Sequence, residues 1–143
     1  MLTLTRKKYE IEEPIQLKDE NNNLLYEFTM QITSEEMEEV KKLIFDEEDI
    51  KNGRKLSVLE NNKEYEKYEE LEAKVLKEAK ERQEKLEIIC FKEHREPFKE
   101  KAGQYKYNEM VEMIFDFFVQ TFAEKKSQQI NTMSSHLRKI SNN

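Results

Sequence analysis

The N-terminal quarter of the chain alternates apolar and polar residues in the manner of a half-buried β-strand. The alternation is clearest over residues 25–32, where Tyr26, Phe28, Met30 and Ile32 fall on one face, and we expect this face to point toward a core. A weaker alternation precedes it. The asparagine-rich segment between the two is typical of a tight turn, because asparagine tolerates a positive φ. Residues 1–32 therefore predict an antiparallel β-hairpin or a small three-stranded sheet.

A helix-start signature follows at residues 33–36. The Thr33 side chain can cap the backbone amide of Glu36, and the Glu36 carboxylate can accept a hydrogen bond from the Thr33 amide in return. The residues after it place their apolar side chains on one stripe, with acidic residues opposite. The pattern predicts an acidic helix over residues 33–46.

The middle of the chain predicts a turn and then a long helix. The Asn52-Gly53 pair predicts a turn over residues 50–56, because both residues reach a positive φ at low cost. Residues 62–96 contain neither glycine nor proline and repeat apolar residues near the helical period, so they predict one helix that Pro97 ends. The stretch 77–85 offers only an alanine to a core. We expect it to project from the body of the protein or to lie against another copy.

The C-terminal region is the most apolar part of the chain. Residues 108–125 predict a core helix that begins at Asn108 and is apolar on nearly every side, and residues 126–143 predict a thin amphipathic helix or a frayed tail. A helix that is apolar nearly all round needs cover on its second face. Two alternatives stay open: complete burial within the chain, or a surface that binds a partner or another copy. That surface would consist of Phe115, Phe118, Phe122, Ile130, Met133, Leu137 and Ile140.

Composition narrows the class of protein. The length of 143 residues corresponds to a single domain, 1–143. Charged residues make up 39% of the chain and hydrophobic residues 36%, so any core is small, whereas 8 Phe and 6 Tyr argue against full disorder. The two glycines lie far apart, which excludes the glycine-rich loops of P-loop and Rossmann enzymes. The elements together predict an α+β protein, in which the N-terminal sheet packs on an α-helical C-terminal part with one long helix.

Charge and cysteine content bear on compartment and partners. The net charge is −6 at pH 7, and the excess of acid lies in residues 35–49, so we expect no binding to nucleic acid. This run reads as a solvated helix face or as a docking patch for a basic partner. Cys90 is the single cysteine, so the chain can form no internal disulfide. No apolar segment approaches the ~20 residues that are needed to span a bilayer. We therefore expect a cytoplasmic protein with no membrane partner.

Two constellations could carry chemistry. Cys90 and His94 have the i, i+4 spacing that lets two side chains on one helix face share a metal, but two ligands are not a site, so we expect a buried thiol beside a surface histidine. Glu112 and Asp116 could be paired carboxylates, but with Gln120 they form a stripe that marks the solvent side of the helix. We expect no catalytic residue, no metal and no cofactor, and hence a protein that is not an enzyme.

Four segments resemble a known family when they are taken in order. They are Glu13-Pro14-Ile15-Gln16-Leu17-Lys18-Asp19, Leu25-Tyr26-Glu27-Phe28, Thr33-Ser34-Glu35-Glu36 and Ile114-Phe115-Asp116-Phe117-Phe118. Their order resembles the tail assembly chaperones of long-tailed bacteriophages and of prophages in Gram-positive bacteria.

The resemblance implies a non-enzymatic protein of the bacterial cytoplasm. Such a protein binds the phage tape-measure protein, keeps its apolar helices soluble and promotes assembly of the tail tube protein around it, and we expect this one to be a homo-oligomer. Two other classes remain open. One is a structural head-tail connector or tail-completion protein, and the other is a small acidic regulatory binding protein, such as an antitoxin or an inhibitor that mimics DNA.

Overall fold

The fold is that of a computed structural model, which describes the backbone of residues 1–5 and 8–141 and the side chains of residues 1–5 and 8–128. Two compact units follow each other along the chain, residues 1–103 and residues 104–143. Among the described residues, the first unit contains a β-hairpin, four helices and a short 3-10 turn, and the second contains one helix. The α+β class is therefore confirmed.

The β-hairpin pairs β1 (Ile11–Lys18) with β2 (Leu24–Ile32), so the sheet in the described part of the chain has two strands rather than three. Ile15 lies opposite Phe28 in the antiparallel register. The face predicted to point toward the core does so: Phe28, Met30 and Ile32 are buried, and Tyr26 is half-buried. In the turn, Asn22 adopts a φ of 66°, as the asparagine-rich sequence predicted.

Helix α1 (Ser34–Ile44) begins with the predicted capping box. The Glu36 amide donates to the Thr33 hydroxyl oxygen at 3.2 Å, and the Thr33 amide donates to a Glu36 carboxylate oxygen at 3.0 Å. Met37 and Val40 carry the buried face of the helix. This boundary was predictable because the capping box is complete within four consecutive residues.

The turn predicted over residues 50–56 is wrong, because helix α2 (Glu47–Asn61) runs through it. The Asp46 carboxylate caps this helix by accepting a hydrogen bond from the Asp49 amide at 2.9 Å. Gly53 lies in the helix interior, and α2 packs on the next helix along the chain. Packing of the whole element outweighs the cost of a glycine in a helix interior, which is about 1 kcal/mol relative to alanine.

The long helix is shorter than predicted. Helix α3 (Tyr65–Phe91) ends six residues before Pro97, at Lys92, which adopts a φ of 51°. A 3-10 turn (Lys92–His94) leads into helix α4 (Arg95–Ala102). Pro97 is the third residue of α4, where its missing N–H has no helical acceptor in any case. Proline thus lies at a helix start here and does not end the preceding helix.

The core of the first unit lies where β2 meets α3 and α4. Three phenylalanine rings form its centre, with centroids 5.5 Å apart for Phe28 and Phe91, 5.9 Å for Phe28 and Phe98, and 5.4 Å for Phe91 and Phe98. At the edge of this core Arg95 pairs with the buried carboxylate of Glu87 at 3.3 Å.

The second unit is helix α5 (Gln104–Ser141), which differs from the predicted helix at 108–125 and separate tail at 126–143. Asn108 does not cap a helix, since its side chain accepts a hydrogen bond from Gln104 one turn earlier, at 2.8 Å. Neither glycine nor proline occurs after Gly103, so the sequence contains no strong helix breaker between the two predicted pieces.

Candidate interaction surface

Helix α5 buries one side. Tyr107, Val111, Ile114 and Phe118 follow each other at steps of four, three and four residues, which places them on one face of a helix, and all four are buried. Tyr107 and Phe118 are 1% and 0% exposed. The apolar excess of this helix is therefore partly buried in the structure.

The predicted partner-binding phenylalanines divide between two faces. Phe118 belongs to the buried face and offers no surface to a partner. Phe115 is 42% exposed, and Phe122 is half-buried, with its ring centroid 6.3 Å from that of Phe118. Together with half-buried Val119 they form a second apolar stripe at i, i+4 and i+7. Of the seven predicted surface residues, Phe115, Phe118 and Phe122 are those whose side chains the structure describes.

The other four predicted residues, Ile130, Met133, Leu137 and Ile140, lie outside the residues whose side chains are described. The backbone at these positions is part of α5. Positions 115, 122, 133 and 140 are separated by 7, 11 and 7 residues, which are close to two, three and two turns of an α-helix. One continuous helix therefore aligns these positions along a single line, which we call the α5 line.

Two exposed apolar residues of α5 were missed by the sequence analysis. Met113 is 62% exposed and lies on the opposite side of the helix from Phe115, and Tyr105 is 74% exposed near the helix start. A helix that is apolar nearly all round gives no periodic signal to separate such residues from the buried ones.

Glu112, Asp116 and Gln120 are exposed, so the prediction that they mark the solvent side of this helix is confirmed. These two acids are therefore a solvated part of the helix surface.

Cys90 and His94 do not share a helix face, because α3 ends between them at Phe91. Burial raises the pKa of the Cys90 thiol to about 12, and the smaller effects of nearby Lys92 and Glu36 oppose each other. The His94 ring stacks on Phe28 at a centroid distance of 4.7 Å, and its Nδ1 is 2.8 Å from the Tyr26 hydroxyl. Both side chains therefore contribute to packing, the cysteine as a buried thiol and the histidine as part of an aromatic cluster.

The acidic run splits between two helix starts. Glu36 completes the capping box of α1, Asp46 caps α2, and Asp49 pairs with Arg82 of α3 at 3.1 Å. Carboxylates in these positions also interact favourably with the positive end of the helix dipole. Among the residues that the structure describes, no group of three or more His, Cys, Asp or Glu side chains could hold a metal ion.

Comparison with known proteins does not assign the chain to a family. No family model matches the chain, no curated protein matches it, and no solved structure matches it. Across the described ranges, the helices lack the combination of length and apolar character that crossing a bilayer requires.

Proposed function

We propose that this protein is a non-enzymatic tail assembly chaperone of a bacteriophage or prophage, acting in the cytoplasm of the bacterial host. On this proposal it binds the tape-measure protein and promotes assembly of the tail tube protein around it. The proposal joins the family resemblance of the sequence to the α5 line. A long helix with one extended apolar line is suited to contact the apolar helices of a client, because helix-in-groove recognition uses anchors at i, i+4 and i+7.

The observation that carries the proposal is the exposure of Phe115 beside half-buried Val119 and Phe122. Phe115, Val119 and Phe122 are contiguous on a helix whose other exposed positions are mostly charged or polar, and large apolar anchors contribute most of the binding energy of an interface. Phe118 makes no such contribution in this proposal, because it is fully buried.

Co-expression with the tape-measure protein tests the proposal. The client is the longest helical product encoded beside this gene, produced in a bacterial host with and without the chaperone. We expect the wild-type protein to keep the client in the supernatant after centrifugation. Phe115→Glu and Met133→Glu are expected to lose this effect, because each puts a charge on the α5 line.

Met113→Glu is the matched control, since it introduces the same charge at an exposed apolar position on the other side of α5. Equal loss of client solubility in Met113→Glu and Phe115→Glu would contradict a role for the α5 line. Mass spectrometry of purified phage particles separates the chaperone from a head-tail connector: a chaperone is absent from the finished particle, whereas a connector is present.

A further inference from the structure

The helical hairpin formed by α2 and α3 has little core of its own. Within residues 53–85, all of which the structure describes, no side chain is fully buried. Leu71, Val75 and Ala79 are half-buried on the side of α3 that also carries Arg82, the residue that pairs with Asp49 of α2. Two helices that bury so little apolar surface against each other are marginally stable in isolation, so a further packing partner would stabilise them.

A second side of α3 is largely exposed: of its six residues only Glu72 is half-buried, and its carboxylate is hydrogen-bonded to the Tyr68 side chain one turn earlier. The positions on this side follow each other at steps of 4, 3, 4, 4 and 3 residues, an average of 3.6 residues, so they form one straight face along the helix. Leu76 lies near its middle and is 62% exposed, and Tyr65 lies at its N-terminal end and is 59% exposed. We call this the α3 face; its residues are Tyr65, Glu69, Glu72, Leu76, Lys80 and Gln83.

Charge along α3 changes sign near the middle of this face. Residues 65–72 hold four glutamates and one lysine, a net charge of −3, whereas residues 74–85 hold five basic and three acidic residues, a net charge of +2. On the α3 face itself, Glu69 and Glu72 precede Leu76 and Lys80 follows it. Glu72 and Lys80 stand four residues to either side of Leu76.

The charges of the α3 face are complementary to those of a second α3 face that runs antiparallel to it. An antiparallel pair with a two-fold axis at Leu76 places Glu72 of each copy beside Lys80 of the other, so the same attraction occurs twice, and the two Leu76 side chains meet at the axis. A parallel pair would instead set the acidic halves side by side. The charge pattern therefore selects a second copy of this chain, in one orientation, as the occupant of the face.

We infer that the protein forms a two-fold symmetric dimer in which the α3 face packs antiparallel against the α3 face of a second copy. The contact brings two α2–α3 hairpins into a four-helix arrangement, with the two Leu76 side chains as its apolar contact at the axis and the Glu72–Lys80 pairs setting the orientation. The inference does not rest on the tail-assembly proposal, since it uses a different helix and needs no client.

Analytical ultracentrifugation of the full chain tests the dimer, at protein concentrations of roughly 1 to 100 µM. We expect the wild-type protein to be dimeric in this range. Glu72→Lys and Lys80→Glu each put like charges together twice, and each is expected to raise the dissociation constant by roughly tenfold or more. An equimolar mixture of the two variants is expected to regain wild-type affinity as a heterodimer, because both contacts across the axis then join a lysine of one copy to a glutamate of the other.

Glu70→Lys and Lys85→Glu are the matched controls, because they make the same charge changes at exposed positions away from the α3 face. They are expected to leave the dissociation constant within about twofold of wild type. Circular dichroism confirms that each variant is folded. A monomeric wild-type protein over the whole range would overturn the inference. So would a mixture that stays monomeric, or controls that dissociate as readily as the reversal variants.

Cross-linking gives a second readout that does not depend on charge. Leu76→Cys places two thiols at the symmetry axis, so we expect it to oxidise to a covalent dimer, whereas Lys85→Cys on another side of α3 stays monomeric under the same conditions. The native Cys90 does not interfere because it is buried. Equal cross-linking of the two variants would show that the α3 face is not the contact.

Discussion

Lys92 joins three elements of the first unit through a single ammonium group. Its Nζ donates to the carbonyl oxygen of Gln31 in β2 at 2.6 Å and to that of Ile89 in α3 at 3.0 Å, and it pairs with the Glu36 carboxylate of α1 at 3.2 Å. The backbone of Lys92 adopts a φ of 51°, which is unfavourable for a side chain of this kind. These contacts compensate for that conformation and end α3 where the ammonium can reach both carbonyls.

Lys92 also affects the ionisation of Glu36. Burial alone would raise the pKa of this carboxyl, but the hydrogen bond from the Thr33 amide and the contact with Lys92 outweigh it, so the pKa lies below its usual value of 4.5. A carboxyl with a lowered pKa stabilises the folded state above its unfolded pKa, and this stabilisation is lost as the pH falls through its folded pKa.

We therefore predict that Lys92→Met lowers the free energy of unfolding at pH 7 by about 1–2 kcal/mol, less than a fully buried charged hydrogen bond contributes, because solvent screens the partly exposed Lys92 ammonium. The pKa of Glu36 is expected to rise in the variant, since the ammonium no longer favours the carboxylate. Urea unfolding at several pH values and an NMR titration of the Glu36 carboxyl measure the two effects.

Lys85→Met serves as the control, because Lys85 is exposed and the substitution removes the same charge. The stability difference between wild type and Lys92→Met is expected to shrink as the pH drops below the pKa of Glu36. A difference that stays constant down to acid pH would contradict the role of this ion pair.

Local sequence signals predicted the structure correctly where all the interacting groups lie within a few consecutive residues. The capping box at Thr33 and Glu36 is such a case, and so is the asparagine-rich hairpin turn. They failed where packing between elements decides: the Asn52-Gly53 pair lies in the middle of α2, which packs on α3. The predicted end of the long helix at Pro97 was wrong for a different reason. A proline is compatible with a helix start as well as with a position after a helix end, so the sequence alone did not show which of the two applies.

The two glycines of the chain now predict opposite effects. Gly53 lies inside a helix, and a Cβ there would meet no atom within 4 Å, so Gly53→Ala is expected to stabilise the protein by about 0.5–1 kcal/mol. Gly103 follows α4 with φ 80° and ψ 160°, a conformation that is essentially restricted to glycine. We expect Gly103→Ala to destabilise the protein by about 1–3 kcal/mol.

Urea denaturation of both variants measures these changes, and each serves as the control for the other because the substitution is chemically the same. The test also bears on the corrected element. If residues 50–56 formed a turn with a positive φ at Gly53, Gly53→Ala would destabilise the protein instead. Destabilisation by both variants would thus argue against a helical α2.

Across the chain, the hardest feature to predict was the division of apolar residues between core and surface. The inner face of β2 was predicted correctly, because in a strand that alternates apolar and polar residues the apolar side chains are the ones that face the core. Residues 110–122 carry apolar side chains on nearly every side, so periodicity could not separate buried Phe118 from exposed Phe115 and Met113. The order of residues along one helix therefore does not show which of these apolar side chains are buried.

The same division yields a prediction for the stability of the molecule. Phe118→Ala is expected to lower the free energy of unfolding by about 3–5 kcal/mol, because it removes a fully buried ring. Phe115→Ala is expected to change it by no more than about 0.5 kcal/mol, as is usual for a surface position. Urea unfolding followed by circular dichroism measures both, at one fixed protein concentration, because self-association makes the apparent stability depend on concentration.

The pair separates core from binding surface within a single helix. A residue that serves a partner is expected to lose binding on truncation while the protein stays folded, and Phe115 meets this expectation only if its truncation leaves stability intact. If Phe115→Ala and Phe118→Ala destabilise the protein equally, both rings belong to the core, and the α5 line loses its one strongly exposed aromatic anchor. If Phe115→Ala alone leaves the protein stable, its effect on client solubility can be attributed to the lost contact.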